Sequence, residues 1–442
     1  MNHRPKVLLI AEACNPEWVS VPLVGWSMAS ALRGVADVHI VSQIRNRDAL
    51  VRAGLVEGVD FTAIDSERIA RPLWRLATVL RMGEGRGWTT VQAIDAISYR
   101  YFERLVWRLF GSSIKSGEFD IVHRLTPLSP TIPSSLAGKC RKAGVPFVIG
   151  PLNGGVPWPR QFDAERRRER EWLSYVRSAY KLLPGRRQTL RASAIMVGSR
   201  HTEAEIPEQF RPHTIYLPEN GIDPDRFSHR ADHQPGTLRA CFVGRMVPYK
   251  GPDMVLQAAA PMLREGLMRL DFVGDGPMLE ELKAQAIAEG IADAVTFHGW
   301  VAHQRVQEIL SRSTLFAFPS IREFGGGAVL EAMALGVPPL IVDYAGPGEL
   351  VDAGTGFKVP LGSREEIVAA LRAAMGKLAS EPDLLRETGK RARDRVETHF
   401  LWSRKAEQVL EVYGFALGQR ERPQPLEAAA LAPDRLVGGA LL

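Results

Sequence analysis

Three times in its second half the chain runs a short apolar stretch into glycine and then straight into a helical pattern. The stretches are residues 239–243, 269–273 and 315–319; the glycines are Gly244, Gly274 with Gly276, and the triplet Gly325, Gly326 and Gly327. Strand, glycine loop and helix in that order form the repeating unit of a parallel α/β sheet. Open sheets of this kind take ligands at the carboxyl ends of their strands. The pattern therefore predicts a parallel sheet whose chemistry sits in these loops.

The first half repeats the theme less regularly. A strand at 6–11, a helix around 25–33 and a second strand at 36–42 make a βαβ start. Short strands are expected at 120–123, 146–150 and 194–198, with helices at 88–110 and 165–180. In the second half, strands at 239–243, 269–273, 294–297, 315–319 and 338–342 alternate with helices at 252–263, 277–289, 303–312 and 328–335. Helices at 364–379 and 381–400 follow. The stretch 217–236 is rich in Pro, Asp, His and Gly, lacks periodicity and reads as a linker. The expected division is a first domain over 1–216, the linker 217–236, a second domain over 237–400, a helix over 401–418 crossing back to the first domain, and a flexible tail over 419–442.

Composition bounds the reading. A chain of 442 residues, 45% hydrophobic and 24% charged, can bury large cores without a disulfide scaffold. Its three cysteines, Cys14, Cys140 and Cys241, lie far apart, which argues against a zinc module and for a reducing compartment. No apolar run approaches the ~20 residues of a membrane-spanning helix, and residues 7–11 are too short for a signal-peptide core. The expectation is a cytoplasmic protein. Charge is uneven: residues 1–216 hold 31 Lys and Arg against 20 Asp and Glu, and the remainder hold 25 against 30. A basic half suggests an anionic partner. Residues 160–191 hold ten Lys and Arg against four Asp and Glu, interleaved with Trp172, Tyr175 and Tyr180. This stretch reads either as a peripheral attachment to the inner face of an anionic membrane or as a solvated charged helix. No nucleic-acid-binding motif accompanies it.

The loops carry specific chemistry. Arg245 can grip phosphate oxygens bidentately, and Lys250 adds a point charge. The first turn of a helix opening at the glycine triplet has free amides and a positive dipole end, which together suit an anion. Glu323 and Glu331 flank that site and can accept hydrogen bonds from sugar and ribose hydroxyls. A carboxylate repels phosphate, so each must sit beside the phosphate pocket rather than in it. Gly274 to Pro277 reads as ligand loop or plain turn. Residues 150–155, with Asn153, Gly154 and Gly155, form a second glycine loop, again a turn or the lining of an acceptor site. His123 at a strand end is either functional or packed. Asp223 and Asp225 flank a proline and read as a turn rather than a metal site, and no His/Cys cluster offers another.

Taken together, Gly244 and Arg245 with Lys250, Gly274-Asp275-Gly276-Pro277, Phe297-His298-Gly299, and Glu323 and Glu331 with seven residues between them resemble the GT-B glycosyltransferases of family 4, also called glycosyl transferases group 1. The run Glu219 to Asp223 resembles the family's interdomain signature, and Val197-Gly198-Ser199 its last N-domain strand. The resemblance spans about residues 5–415. It implies a GT-B fold, two Rossmann-like doubly wound parallel-sheet domains facing a cleft. It also implies a retaining transferase that uses a nucleotide sugar as co-substrate and needs no metal or other cofactor.

By the same resemblance Arg245 and Lys250 hold the donor diphosphate, Glu331 the ribose and Glu323 the transferred sugar. Gly244, Gly274, Gly276, Gly325, Gly326, Gly327 and Leu330 line the donor site. His298 and Gly299 border the base, Gly25 faces the donor phosphate, and His123 joins the catalytic set. The expected acceptor is a glycan, glycolipid or lipid-linked sugar. Two departures stand out: the first loop has Val24-Gly25 in place of a glycine pair, and His123-Arg124-Leu125 lacks a second histidine. Competing readings are a non-catalytic nucleotide- or sugar-binding protein on the same fold and a transferase acting on a small molecule. A nucleotide-dependent oxidoreductase fits poorly, because no G-x-G-x-x-G follows the first strand.

Overall fold

A computed structural model describes residues 4–68, 72, 88–163, 166, 185–231 and 236–424. The expected helix at 165–180 and most of the basic stretch lie outside the described residues. The chain forms two compact units. The first takes in Met1–Gly155, Arg166–Glu219 and the return segment that begins at Trp402. The second is built on Asn220–Leu401, with Val156–Glu165 added from the first half of the chain.

The first unit is a seven-stranded sheet in the order β3-β2-β1-β4-β5-β6-β7. Its strands are β1 (Lys6–Ala11), β2 (Asp37–Gln43), β3 (Phe61–Ile64), β4 (Ile121–Thr126), β5 (Phe147–Leu152), β6 (Ala194–Val197) and β7 (Thr214–Tyr216). All pair in parallel. β4, β5 and β6 are buried along their whole length, as parallel strands covered on both faces must be. One face packs under the helices Val21–Val35 and Trp402–Ala416, whose Val409, Val412 and Tyr413 join its core. The other face packs Tyr99, Phe102 and Val106 of the helix Trp88–Lys115.

The second unit is a six-stranded parallel sheet in the order β10-β9-β8-β11-β12-β13. Its strands are β8 (Leu238–Val243), β9 (Met268–Val273), β10 (Val295–Gly299), β11 (Leu315–Phe318), β12 (Pro339–Val342) and β13 (Phe357–Val359). In both sheets the order reverses beside the first strand of the unit, at β1/β4 and at β8/β11. Such switch points open a crevice at the strand ends.

The central strands were legible in sequence; β3, β7 and β13 were not. Each is three or four residues long and lies at a sheet edge. A run that short shows no period. The stretch expected as linker also differs. Asn220 onward packs with the second unit, where Ile222 and Phe227 are core residues and the Ile222 amide donates to the Phe400 carbonyl (2.7 Å). Two apolar anchors were hidden in a polar composition. The expected tail is held at its start, since the Arg422 guanidinium donates to the Thr214 carbonyl (2.7 and 3.1 Å). Residues 425–442 lie outside the described residues. Among the described residues no helix is long and apolar enough to cross a membrane.

Candidate active site

The second unit brings most of the expected donor residues to one end of its sheet. The loop after β8 carries Gly244 and Arg245 and closes with the short helical turn Pro248–Lys250; the helix Pro252–Arg264 follows. The loop after β11 carries Glu323 and the glycine triplet, and the helix Gly327–Leu335 follows. These two loops flank the β8/β11 switch point. They are bridged there by Lys250 Nζ and Glu323 Oε2, 3.0 Å apart. Burial opposes the charge on Lys250, but the Glu323 carboxylate, aided by Tyr249 and Glu331, outweighs it and raises the lysine's pKa. Arg245 is exposed, and among the described residues it has no ion-pair partner.

The glycine triplet is shaped from behind. Gly326 adopts a left-handed conformation (φ 60°) and caps the helix Gly327–Leu335. The Asn220 side-chain amide donates to the Gly325 carbonyl (2.8 Å). A Cβ at Gly346 would overlap the Phe324 carbonyl, so this glycine lets the loop lie flat on its neighbour. Gly327 itself has open space around it, with only the Asn220 side chain at 3.7 Å. The Gly327 and Ala328 amides, in the first turn, have no intrahelical acceptor and, among the described residues, no other one, so they can face an anion. Leu330 does not join them: its side chain is fully buried in the core and its amide already donates to the Gly326 carbonyl (3.2 Å).

Glu331, one turn into the helix, accepts from His303 Nε2 (3.2 Å), and the His303 ring stands edge-on to Phe227 (centroids 5.2 Å). His303 was not singled out in the sequence, and Asn220 only as part of the interdomain run Glu219 to Asp223, with no role given. Each orients a motif residue, and no local pattern marks such a role. Trp158 was missed for the same reason. It comes from Val156–Glu165, stands edge-on to Tyr249 (5.9 Å) and lies under the Arg322 guanidinium (5.1 Å).

The other expected donor glycines serve the loops themselves. The loops after β10, β9 and β8 are stacked: Gly274 N donates to the Gly299 carbonyl (2.8 Å), Gly244 N to Val273 (2.9 Å) and Met246 N to Asp275 (2.9 Å). A Cβ at Gly274 would overlap the Gly244 carbonyl, and one at Gly276 would overlap the Met246 backbone. His298 Nε2 donates to Asp271 Oδ1 (2.7 Å), and the adjacent Trp300 is 79% exposed. Asp223 and Asp225 form the expected turn, with Asp225 N donating to Asp223 Oδ1 (3.1 Å).

In the first unit two expected site residues sit elsewhere than the sequence suggested. Gly25 lies inside the helix Val21–Val35 rather than in the loop before it, and its Cβ would overlap the Ala13 carbonyl. Close helix-to-loop packing accounts for this glycine. His123 on β4 is fully buried. Its Nε2 donates to the Gly150 carbonyl and its Nδ1 accepts from the Tyr413 hydroxyl, both at 2.7 Å. Burial, first, and Arg124 nearby push its pKa down to about 4, against the pull of Gly150, so the ring is neutral. Of the two readings of His123, the structure supports the packed one. Asn153 is nearly buried; its amide donates to Glu219 Oε1 and its carbonyl oxygen accepts from Gly154 N, both at 2.7 Å.

Two doubly wound parallel α/β units, one with a charged, glycine-lined switch point, define the GT-B class of fold. Solved structures agree. A glycosyltransferase from Rickettsia africae superposes over 94% of this chain and all of its own, with TM-score 0.62 at 14% identity. HepE from Anabaena, solved with UDP and glucose, covers 92% of this chain and 99% of its own, with TM-score 0.54 at 15% identity. Residues 224–395 match the family of glycosyl transferases group 1, so the chain carries a domain of that family. Among curated relatives, a protein named D-inositol 3-phosphate glycosyltransferase from Gordonia bronchialis is 34% identical over 208 residues, 45% of this chain and 44% of the relative. The matched region thus spans less than half of that relative's length.

Proposed function

We propose that the chain is a retaining glycosyltransferase that moves a hexosyl group from a nucleoside-diphosphate sugar to a hydroxyl of a glycan, glycolipid or lipid-linked acceptor. The observation that carries the reading is the Lys250–Glu323 bridge at the β8/β11 switch point, set between exposed Arg245 and the first-turn amides of Gly327 and Ala328. A diphosphate entering there takes Lys250 from Glu323, since two negative charges outcompete one. Glu323 is then released to accept from hydroxyls of the sugar. Glu331, oriented by His303, keeps its second oxygen for the ribose.

A nucleoside diphosphate is a good leaving group, so the site needs charge stabilisation more than a strong acid. Arg245, Lys250 and the helix N-terminus supply it without a metal. Neither glutamate is assigned as a nucleophile. Front-face attack, with the departing phosphate accepting the acceptor's proton, retains configuration. A peripheral attachment to an anionic membrane through 160–191 belongs to the same reading, as does a cytoplasmic location.

A thermal-unfolding screen with UDP, GDP, ADP, TDP and NAD tests it. A nucleoside diphosphate at 100 times its Kd is expected to add about 2.7 kcal/mol of stability. Arg245→Ala is expected to abolish that shift while leaving the unliganded midpoint unchanged, because the side chain is exposed. Its transfer rate is expected to fall by about 10²–10³-fold. A folded wild type that no nucleotide stabilises would sink the reading. Binding without transfer or donor hydrolysis would favour a non-catalytic nucleotide-binding protein.

A further inference from the structure

A short piece from the first half of the chain is built into the second unit. The chain leaves the first unit after Gly155, and Val156–Glu165 packs with Asn220–Leu401. Trp158 and Phe162 of this piece are 7% and 2% exposed and belong to the core of the second unit. The two anchors stand on either side of Pro159, where the short helical turn Arg160–Phe162 begins.

The contacts of this piece fall on three loops in a row. β8, β11 and β12 are neighbours in the sheet, and the loop at the carboxyl end of each one touches it. After β8, Tyr249 stands edge-on to the Trp158 ring, with centroids 5.9 Å apart and planes at 87°. After β11, the Arg322 guanidinium lies over Trp158 (5.1 Å) and over Phe324 (5.6 Å). A cation only 8% exposed is thus held against two aromatic rings. After β12, the Tyr344 hydroxyl donates to the Pro157 carbonyl (2.9 Å).

Each of these contacts is one or two residues from the backbone that carries the candidate site. Tyr249 precedes Lys250 and Arg322 precedes Glu323, the two members of the 3.0 Å ion pair. Tyr344 stands two residues before Gly346, whose amide donates to the Glu323 carbonyl (3.3 Å). The first two loops also meet directly, since the Tyr249 carbonyl accepts from the Ile321 amide (2.9 Å) and the Ser320 hydroxyl (3.1 Å). Trp158 spans the same joint. A rigid ring that touches residue 249 of one loop and residue 322 of the other fixes how the loops lie together, and with them Lys250 and Glu323.

We propose that residues 156–163 form a strap that holds the loops after β8, β11 and β12 in register, with Trp158 as the positioning residue for the Lys250–Glu323 pair. The proposal rests on the transferase reading, in which that pair receives the donor diphosphate. Trp158 need not touch the donor; it acts through Tyr249 and Arg322. The donor loops of the second unit therefore depend on a residue supplied by the first half of the chain.

Two variants of the full chain separate positioning from packing. Trp158→Leu keeps an apolar side chain but removes both ring contacts, whereas Trp158→Phe is smaller yet keeps an aromatic face. One readout is hydrogen exchange at the Ile321 amide, which reports the joint between the two loops. The other is the Kd for UDP, or for whichever nucleoside diphosphate stabilises the wild type, by calorimetric titration. Both variants lose packing and are expected to melt below the wild type. Trp158→Leu is expected to speed exchange at Ile321 and to weaken the nucleotide about tenfold each, while Trp158→Phe stays within about threefold of the wild type in both. Wild-type exchange in Trp158→Leu overturns the proposal, as does faster exchange with an unchanged Kd, or a Trp158→Phe variant as impaired as Trp158→Leu. Should Trp158→Leu not fold, Tyr344→Phe removes only the hydrogen bond to Pro157. It is expected to speed exchange at Ile321 about threefold, and an unchanged rate there would overturn the strap. A wild type that binds no nucleotide counts against the transferase reading, and exchange at Ile321 still decides whether the strap holds the loops.

Discussion

The two units use the same residue types to opposite effect. In the second unit the expected donor-site charges are exposed or part-exposed. Arg245 is exposed, Lys250 and Glu323 are part-exposed partners, and the Gly327 and Ala328 amides have no acceptor among the described residues. In the first unit Arg124, Glu103, His123, Lys405 and Glu219 are all nearly or fully buried, and Glu103 alone accepts from Ser134 Oγ, Ser135 N and Ser135 Oγ. Charge left accessible at a switch point is available to a ligand. Charge that is buried is out of a ligand's reach, even where hydrogen-bonding capacity is left over, as at Arg124 Nε and Nη2 among the described residues. The contrast teaches that a charged or histidine residue in such a motif is a site candidate only while a ligand can reach it.

The sharpest way to break this contrast is at its most buried carboxylate. Glu103→Ala strands three donors and deprives Arg124 of a nearby counter-charge. Urea unfolding is expected to show a loss of about 3–5 kcal/mol. The nucleotide-induced shift of whatever remains folded is expected to persist, because the second unit is untouched. A loss under 1 kcal/mol would show that the first unit's charges are not committed to the fold.

Acid pH probes the same commitment through His123. Its pKa is about 4 in the fold against the ordinary 6.5, so the unfolded chain takes up a proton across that window and the folded one does not. The stability held above pH 6.5 is therefore lost as pH falls toward 4, by about 3 kcal/mol in all. His123→Phe is expected to be less stable at pH 7 yet to lose this part of the pH slope, which denaturant melts at a series of pH values would reveal.

Glycines sort the same way. Gly25→Ala forces a methyl onto the Ala13 carbonyl and is expected to cost about 1–3 kcal/mol of stability. Gly327→Ala has room for its methyl, so its melting point should hold while nucleoside-diphosphate affinity drops. Equal losses of stability in both would erase the distinction. The smallest effect is expected at His303→Ala, which frees Glu331 from its orienting bond. Calorimetric titration with the stabilising nucleotide should show about 1 kcal/mol weaker binding, against no change if Glu331 orients itself.

Both the success and the failure of the sequence reading follow from distance along the chain. Lys250 follows Gly244 by six residues and Glu331 follows Glu323 by eight, so one strand–loop–helix unit carries each pair and the spacing is visible. Parallel central strands are continuous apolar runs and show themselves too. His123 and Tyr413 are partners 290 residues apart, and nothing local shows that the histidine will be spent on that tyrosine.

The chain's sequence by itself determined that there would be parallel α/β units, where their central strands lie, and which loop carries the cations, the glycines and the two carboxylates. Those features depend on short-range periodicity and on backbone freedom at single residues. Only the tertiary structure decided which glycines clear space for a neighbouring loop and which leave space for a ligand. It alone also showed that His123 is spent on a carbonyl and a tyrosine, and that Trp158 and Asn220 shape the second unit. A side chain's hydrogen-bonding capacity is used up by whichever groups the fold brings within about 3 Å, and that proximity is a property of packing, which no local pattern encodes.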